Sequence, residues 1–238
     1  MQNRQYNVQQ NRKGMIARGS ATAPISAAAT KVLRNTYTLL AMTLVFSAAM
    51  AGVSMSFGLS QGASLVCSLG ALALIWFVLP RTANSSAGIA VVFAFTGLLG
   101  LSLGPILLYY LQFSNGGQII MQALGGTGVV FFALSGYVLT TKKDFSFMRG
   151  MLVAGLVVVL IAALGSMVAA MFGVEMTALS LAISAAIVFL MSGFILYDTS
   201  RIVNGGETNY IMATTGLYLN IYNLFLALLH LTGAFSGD

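Results

Sequence analysis

Charge is what this sequence most lacks. Only 7% of its 238 residues are Asp, Glu, Lys or Arg, with five acids against eleven bases, whereas soluble chains carry about 25%. With 58% of residues apolar and a mean hydropathy of +0.90, a water-soluble globule is excluded and an integral membrane protein is expected. Cysteine occurs once, as Cys67 within an apolar stretch, which rules out an internal disulfide and a cysteine-based metal cluster. One histidine, His230, and five acids leave too few ligands for a zinc or carboxylate catalytic centre. No nucleophile and base stand at workable spacing. An enzyme is therefore not expected, nor a bound metal or cofactor.

The net charge of +6 raises nucleic acid as a partner, but that role needs a basic face on a folded surface. Arg4, Arg12, Lys13, Arg18, Lys31 and Arg34 all precede or open the first apolar segment, and the other bases fall in short loops. No such face exists, and the lipid bilayer is the expected partner instead. Residues 1–30 are rich in Gln, Asn, Ser and Ala and contain no apolar run before a cleavage site. They are read as a disordered cytoplasmic tail rather than a signal peptide, which leaves residues 31–238 as the membrane domain.

A helix needs about 20 apolar residues to cross the hydrocarbon core. On that measure seven spans are expected, at 33–57, 62–79, 86–111, 118–140, 150–172, 177–199 and 210–235, in an all-α membrane protein. The connections alternate in charge. The tail, Arg81, the Lys142, Lys143, Arg149 loop and the Arg201 loop are basic, while the loops near Ser60, Asn115 and Glu175 carry no Lys or Arg. The positive-inside rule then puts the tail and the basic loops in the cytoplasm and, if the seventh segment spans fully, the C-terminus outside. Trp76, Tyr109 and Tyr110 are expected to be interfacial anchors.

Gly97, Gly100 and Gly104 recur at three- and four-residue spacing before Pro105, a pattern that lets helices approach closely in lipid. The run GGTG at 125–128 has no preceding strand and no following Lys-Ser/Thr, so it is not a phosphate loop. Two spans carry polar seams. Ser180 and Ser184 share a face with Asp198 on the sixth, and Gly216, Asn220, Asn223, Ala227 and His230 follow one another at helical steps on the seventh. Polar seams in lipid are satisfied by facing each other or a water-filled cavity. Asp198 therefore needs a partner, a proton or a cation; the simpler alternative is a terminal salt bridge with Arg201, one turn on. His230 is expected to hydrogen-bond a neighbour rather than relay protons.

The segments KVLRNTYTLLAMTLVFSA (31–48), FAFTGLLGLSLGPIL (93–107), SGYVLTTKKDFSFM (135–148), GFILYDTSRIVNGGETNYI (193–211) and LYLNIYNLFLALLHLTG (217–233) resemble the Bax inhibitor-1 family. The resemblance implies a seven-helix fold in which six helices surround a central seventh. Bacterial members include pH-sensitive calcium leak channels gated by a pair of aspartates. The first matches Asp198, and the second falls where this chain has Asn220. A branch sharing the GPIL, YVLTT and GGETNYI segments is described as modulators of the membrane-bound FtsH protease.

Two adjacent carboxylates share a proton and titrate as a coupled pair, whereas Asp198 and Asn220 can make only an amide-to-carboxylate hydrogen bond. Ca2+ prefers six to eight oxygens and several carboxylates, so here it would be a transported or weakly bound ion. Two functions are thus expected: an FtsH modulator, and alternatively a cation leak gated by the Asp198 and Asn220 latch. Arg34, Arg81, Ser184, Arg201 and Asn223 are the candidate supporting residues.

Overall fold

The computed structural model describes residues 25–174 and 177–236; most of the expected tail and the Glu175 position lie outside them. Seven helices are long and apolar enough to cross a membrane: α1 (Ala27–Ser56), α2 (Gln61–Thr82), α3 (Ala87–Leu111), α4 (Gly116–Thr141), α5 (Arg149–Met171, entered through a single 3-10 turn, Ser146–Met148), α6 (Thr177–Val203) and α7 (Tyr210–Ser236). No strand occurs among the described residues. α1 begins several residues before the apolar run because Ser26 caps it, its Oγ accepting from Ala29 N at 3.1 Å. α6 runs on to Val203, four residues beyond the expected end, and stops where Gly205 takes up φ +76.

The seventh helix is the centre of the bundle. Of its most apolar window 61% is buried, against 11% in α2 and α5. α1, α3, α4 and α6 pack on α7 directly, while α2 lies outside on α3 and α5 outside on α6. The outer helices turn Trp76, Phe77, Val158 and Ile161 outward, each more than 60% exposed, as a lipid-facing surface requires. Leu217, Tyr218, Ile221 and Leu224 of α7 meet Phe95 and Ile195 in the main core.

Lipid tails are as apolar as Leu, so helix association rests on close packing and on polar contacts. The α1–α3 crossing shows both. A Cβ at Gly97 would stand 2.8 Å from Phe46, while at Gly100 and Gly104 it would collide with the Ser47 carbonyl and the Ser54 side chain. Pro105 has no N–H and so leaves the Leu101 carbonyl without its helical donor; Ser54 Oγ donates to that carbonyl at 2.7 Å. Pro80 has a related effect in α2, where the turn before it, Leu74–Val78, widens to a π-turn. The GGTG run lies inside α4, as its apolar setting requires.

One aromatic expectation fails. Tyr109 is 54% exposed, but Tyr110 is 9% exposed and its ring fills the space over Gly233 of α7. Adjacent helical residues point about 100° apart, so the two could not share the lipid face.

Candidate functional site

Asp198 lies five residues before the end of α6 and Asn220 in the first half of α7. Asn220 Nδ2 donates to Asp198 Oδ2 at 2.7 Å, and this amide-to-carboxylate contact bridges the central helix and its most extensively packed neighbour. Gly216 makes the space for it. A Cβ there would stand 3.2 Å from Asp198 Oδ2, so the carboxylate rests against bare backbone one turn below Asn220. Asn220 itself is only 7% exposed. The arrangement is one acid held by one amide, with a single ionisable group at the contact.

The rest of the polar seam does not join it. Ser184 is 14 residues from Asp198 along α6, about 21 Å at helical rise; its Oγ bonds His230 Nδ1 at 2.8 Å. Asn223 turns back to the Leu219 carbonyl at 2.9 Å. Ser180 bonds the Thr177 carbonyl at 2.8 Å. Arg81 donates to the Phe77 carbonyl of its own helix, and Arg34 is exposed near the start of α1. A shared face thus resolves into separate contacts at different heights.

The terminal salt bridge between Asp198 and Arg201 is absent among the described residues. Arg201 Nη2 instead pairs with Glu207 Oε2 at 3.1 Å and its guanidinium sits 5.6 Å from the Tyr197 ring centroid. The cause lies in the chain turn after α6. Gly205 adopts φ +76, Gly206 N donates to the Arg201 carbonyl at 2.8 Å and Gly205 N to Ile202 at 3.2 Å. This Schellman turn folds Glu207 back over Arg201.

Beside the latch, three loops are tied together. Asn209 caps α7, its Oδ1 accepting from Ile211 N at 2.9 Å, and its Nδ2 reaches the α2–α3 loop at the Ala83 carbonyl, 2.9 Å, and Asn84 Oδ1, 2.8 Å. Ser200 Oγ accepts from Phe145 N at 2.9 Å and donates to the Lys143 carbonyl at 3.2 Å. Arg81 at the end of α2, Lys143 in the α4–α5 loop and Arg201 in the last turn of α6 therefore lie at one end of the bundle. Glu207, Asn209 and Ser200 were not among the expected site residues. For Asn209 a signal was readable, since Asn directly before a helix is a favoured cap; for Ser200 and Glu207 none was.

Comparison with known proteins gives a consistent picture. A family model described as "Bax1-I: Inhibitor of apoptosis-promoting Bax1" matches residues 29–237. A protein of Escherichia coli named Modulator of FtsH protease YccA is 51% identical over 208 residues, covering 87% of this chain and 92% of that protein. An uncharacterized membrane protein of Vibrio cholerae is also 51% identical over 208 residues, covering 87% and 91%. An uncharacterized protein of Pseudomonas aeruginosa is 47% identical over 207 residues, covering 87% and 90%.

Proposed function

The chain belongs to the Bax inhibitor-1 family, and from that membership we propose that it is a regulatory protein of the bacterial inner membrane that binds the FtsH protease and modulates its proteolysis of membrane substrates. The observation that carries this reading is the 51% identity to the Escherichia coli modulator, which extends over 92% of that protein and 87% of this chain. The tied loops supply a physical basis. Three connections at one end, cross-linked through Asn209 and Ser200, form a fixed polar face suited to a partner outside the lipid. The basic residues on these loops support a cytoplasmic position for that end, with the C-terminus periplasmic.

The test is co-purification of FtsH with the intact chain, together with the half-life of a membrane substrate of FtsH when the chain is overproduced. Co-purification and at least a twofold change in half-life are expected. Unchanged turnover with no recovered protease refutes the reading.

The Asp198–Asn220 contact supports a second, compatible reading, a cation leak closed by this latch. Ca2+ is then the transported ion. Liposomes loaded with a calcium dye test it: Asp198→Asn must alter the flux, and an unaltered flux removes Asp198 as the gate.

A further inference from the structure

Arg201 stands between two acids. On its own helix, α6, Asp198 lies three residues earlier, and side chains at that spacing are neighbours on a helix surface, with Cβ atoms about 5–6 Å apart. Beyond the helix end, the turn at Gly205 folds Glu207 back, so that Glu207 Oε2 accepts from Arg201 Nη2 at 3.1 Å. The second contact of Nη2, to the Gly206 carbonyl at 3.4 Å, belongs to the same turn. The Arg201 side chain is 36% exposed, and a side chain so placed reorients without opening the bundle.

A partly exposed ion pair is weak by itself, so the position of Glu207 depends on its other tie. Its Oε1 accepts from Asn209 N at 3.0 Å, and Asn209 is fixed in turn. Oδ1 caps α7 through Ile211 N, while Nδ2 reaches the Ala83 carbonyl and Asn84 Oδ1 in the α2–α3 loop. Asn84 is exposed. A series of contacts thus runs from the surface of the α2–α3 loop, through Asn209 and Glu207, to a cation one helical turn from the latch.

We propose that Arg201 is a two-position switch: held on Glu207 in this structure, it transfers to Asp198 when Asn209 leaves the α2–α3 loop, and so takes the carboxylate from Asn220. The transfer trades one carboxylate for another and keeps the number of ion pairs, so a modest perturbation shifts the populations of the two states. Glu207 tolerates the loss, because it is itself partly exposed, at 18%, and keeps the Asn209 N–H. At Asp198 a guanidinium offers a stronger, doubly charged hydrogen bond than a neutral amide does. The input is whatever displaces Asn209 at the polar face; the output is a loosened contact between α6 and α7. The switch depends on neither proposed activity, and its test reads neither.

The full chain, labelled with nitrogen-15 asparagine, is placed in detergent micelles, and hydrogen exchange of the Asn220 side-chain amide is followed by NMR, its resonance identified by its absence in Asn220→Leu. Glu207→Gln removes the charge that retains Arg201 and should speed this exchange about fivefold, the value of one hydrogen bond. Adding Arg201→Gln removes the cation that displaces Asn220 and should restore the native rate, and Arg201→Gln alone should leave that rate native. Asn209→Ser keeps a capping oxygen for α7 but loses the reach to Ala83 and Asn84, so it should also speed the exchange, again only while Arg201 is present. Unchanged exchange in Glu207→Gln or in Asn209→Ser overturns the proposal. Acceleration that persists after Arg201→Gln overturns it equally, because a loosened loop and not a moved arginine is then the cause. Should Glu207→Gln fail to fold, Asn209→Ser with and without Arg201→Gln decides on the same terms.

Discussion

Replacing Asn220 with Leu keeps the side-chain volume close to native but removes the one side-chain donor that Asp198 Oδ2 has among the described residues. A polar group stripped of its partner in a buried setting costs about 1–3 kcal/mol. The pair itself is worth less, because removing both members also removes the unmet need. Measured couplings between polar side chains in a membrane protein average about 0.6 and reach about 1.7 kcal/mol, and a carboxylate acceptor belongs at the upper end.

The Asp198→Leu, Asn220→Leu cycle should therefore give a coupling of about 1–2 kcal/mol, read from unfolding of the purified protein in mixed micelles. A third substitution tests the geometry independently. In the native background the Gly216→Ala methyl, 3.2 Å from Oδ2, must displace the carboxylate by a few tenths of an ångström and strain its bond to Asn220, and up to about 1 kcal/mol of destabilisation is expected. In an Asp198→Ala background that obstacle is gone, and the same change should stabilise the helix by up to about 1 kcal/mol. Additive effects, with a coupling below about 0.3 kcal/mol, would refute the view that α6 and α7 are latched here.

Ser54→Ala leaves the Leu101 carbonyl beside Pro105 without its 2.7 Å donor, and thermal unfolding in detergent should show a loss of about 1 kcal/mol; no loss means that another group takes over. Gly104→Leu forces a side chain into Ser54 at the α1–α3 crossing, so it should cost about 3 kcal/mol or prevent folding, and wild-type stability in the same assay would deny the close approach. Arg201→Gln removes the Glu207 pair, whose Arg side chain is 36% exposed. It should cost less than about 1 kcal/mol, yet raise amide exchange through residues 204–209; unchanged exchange there removes the pair as the loop's anchor.

The Asp144 carboxyl is held below its ordinary 3.8 by hydrogen bonds from the Ser146 hydroxyl and backbone N–H. Its folded value is depressed, so its contribution is complete above the unfolded value and disappears as pH falls through the lower folded one. The Ser146 amide resonance should titrate with a midpoint below 3.8, and a midpoint at or above it contradicts the assigned bonds.

Much of this architecture was legible residue by residue, because the cost of exposing backbone to lipid makes helix length and apolarity local requirements. The seventh span starts where the apolar run suggested, and the discrepancies at Ala27 and Val203 trace to a serine cap and to a helix stop placed at Gly205. That Asp198 and Asn220 both lie on polar seams also followed from helical periodicity. Periodicity gives direction around an axis but says nothing of height across a neighbour. For that reason Ser184, on nearly the same face as Asp198, ended up with His230 instead.

The sequence by itself determined seven apolar helices, a glycine-lined crossing on α3, and an acid and an amide on the polar seams of the sixth and seventh spans. Tertiary structure alone decided which groups that acid meets. Gly216 gives it room, and the left-handed turn at Gly205 directs Arg201 to Glu207 and away from Asp198. Only the packing of α1 and α4 around α7 leaves the side groove between them open. The physical reason is that burial in lipid is a property of each helix, whereas contact, register and void depend on how several helices are placed together.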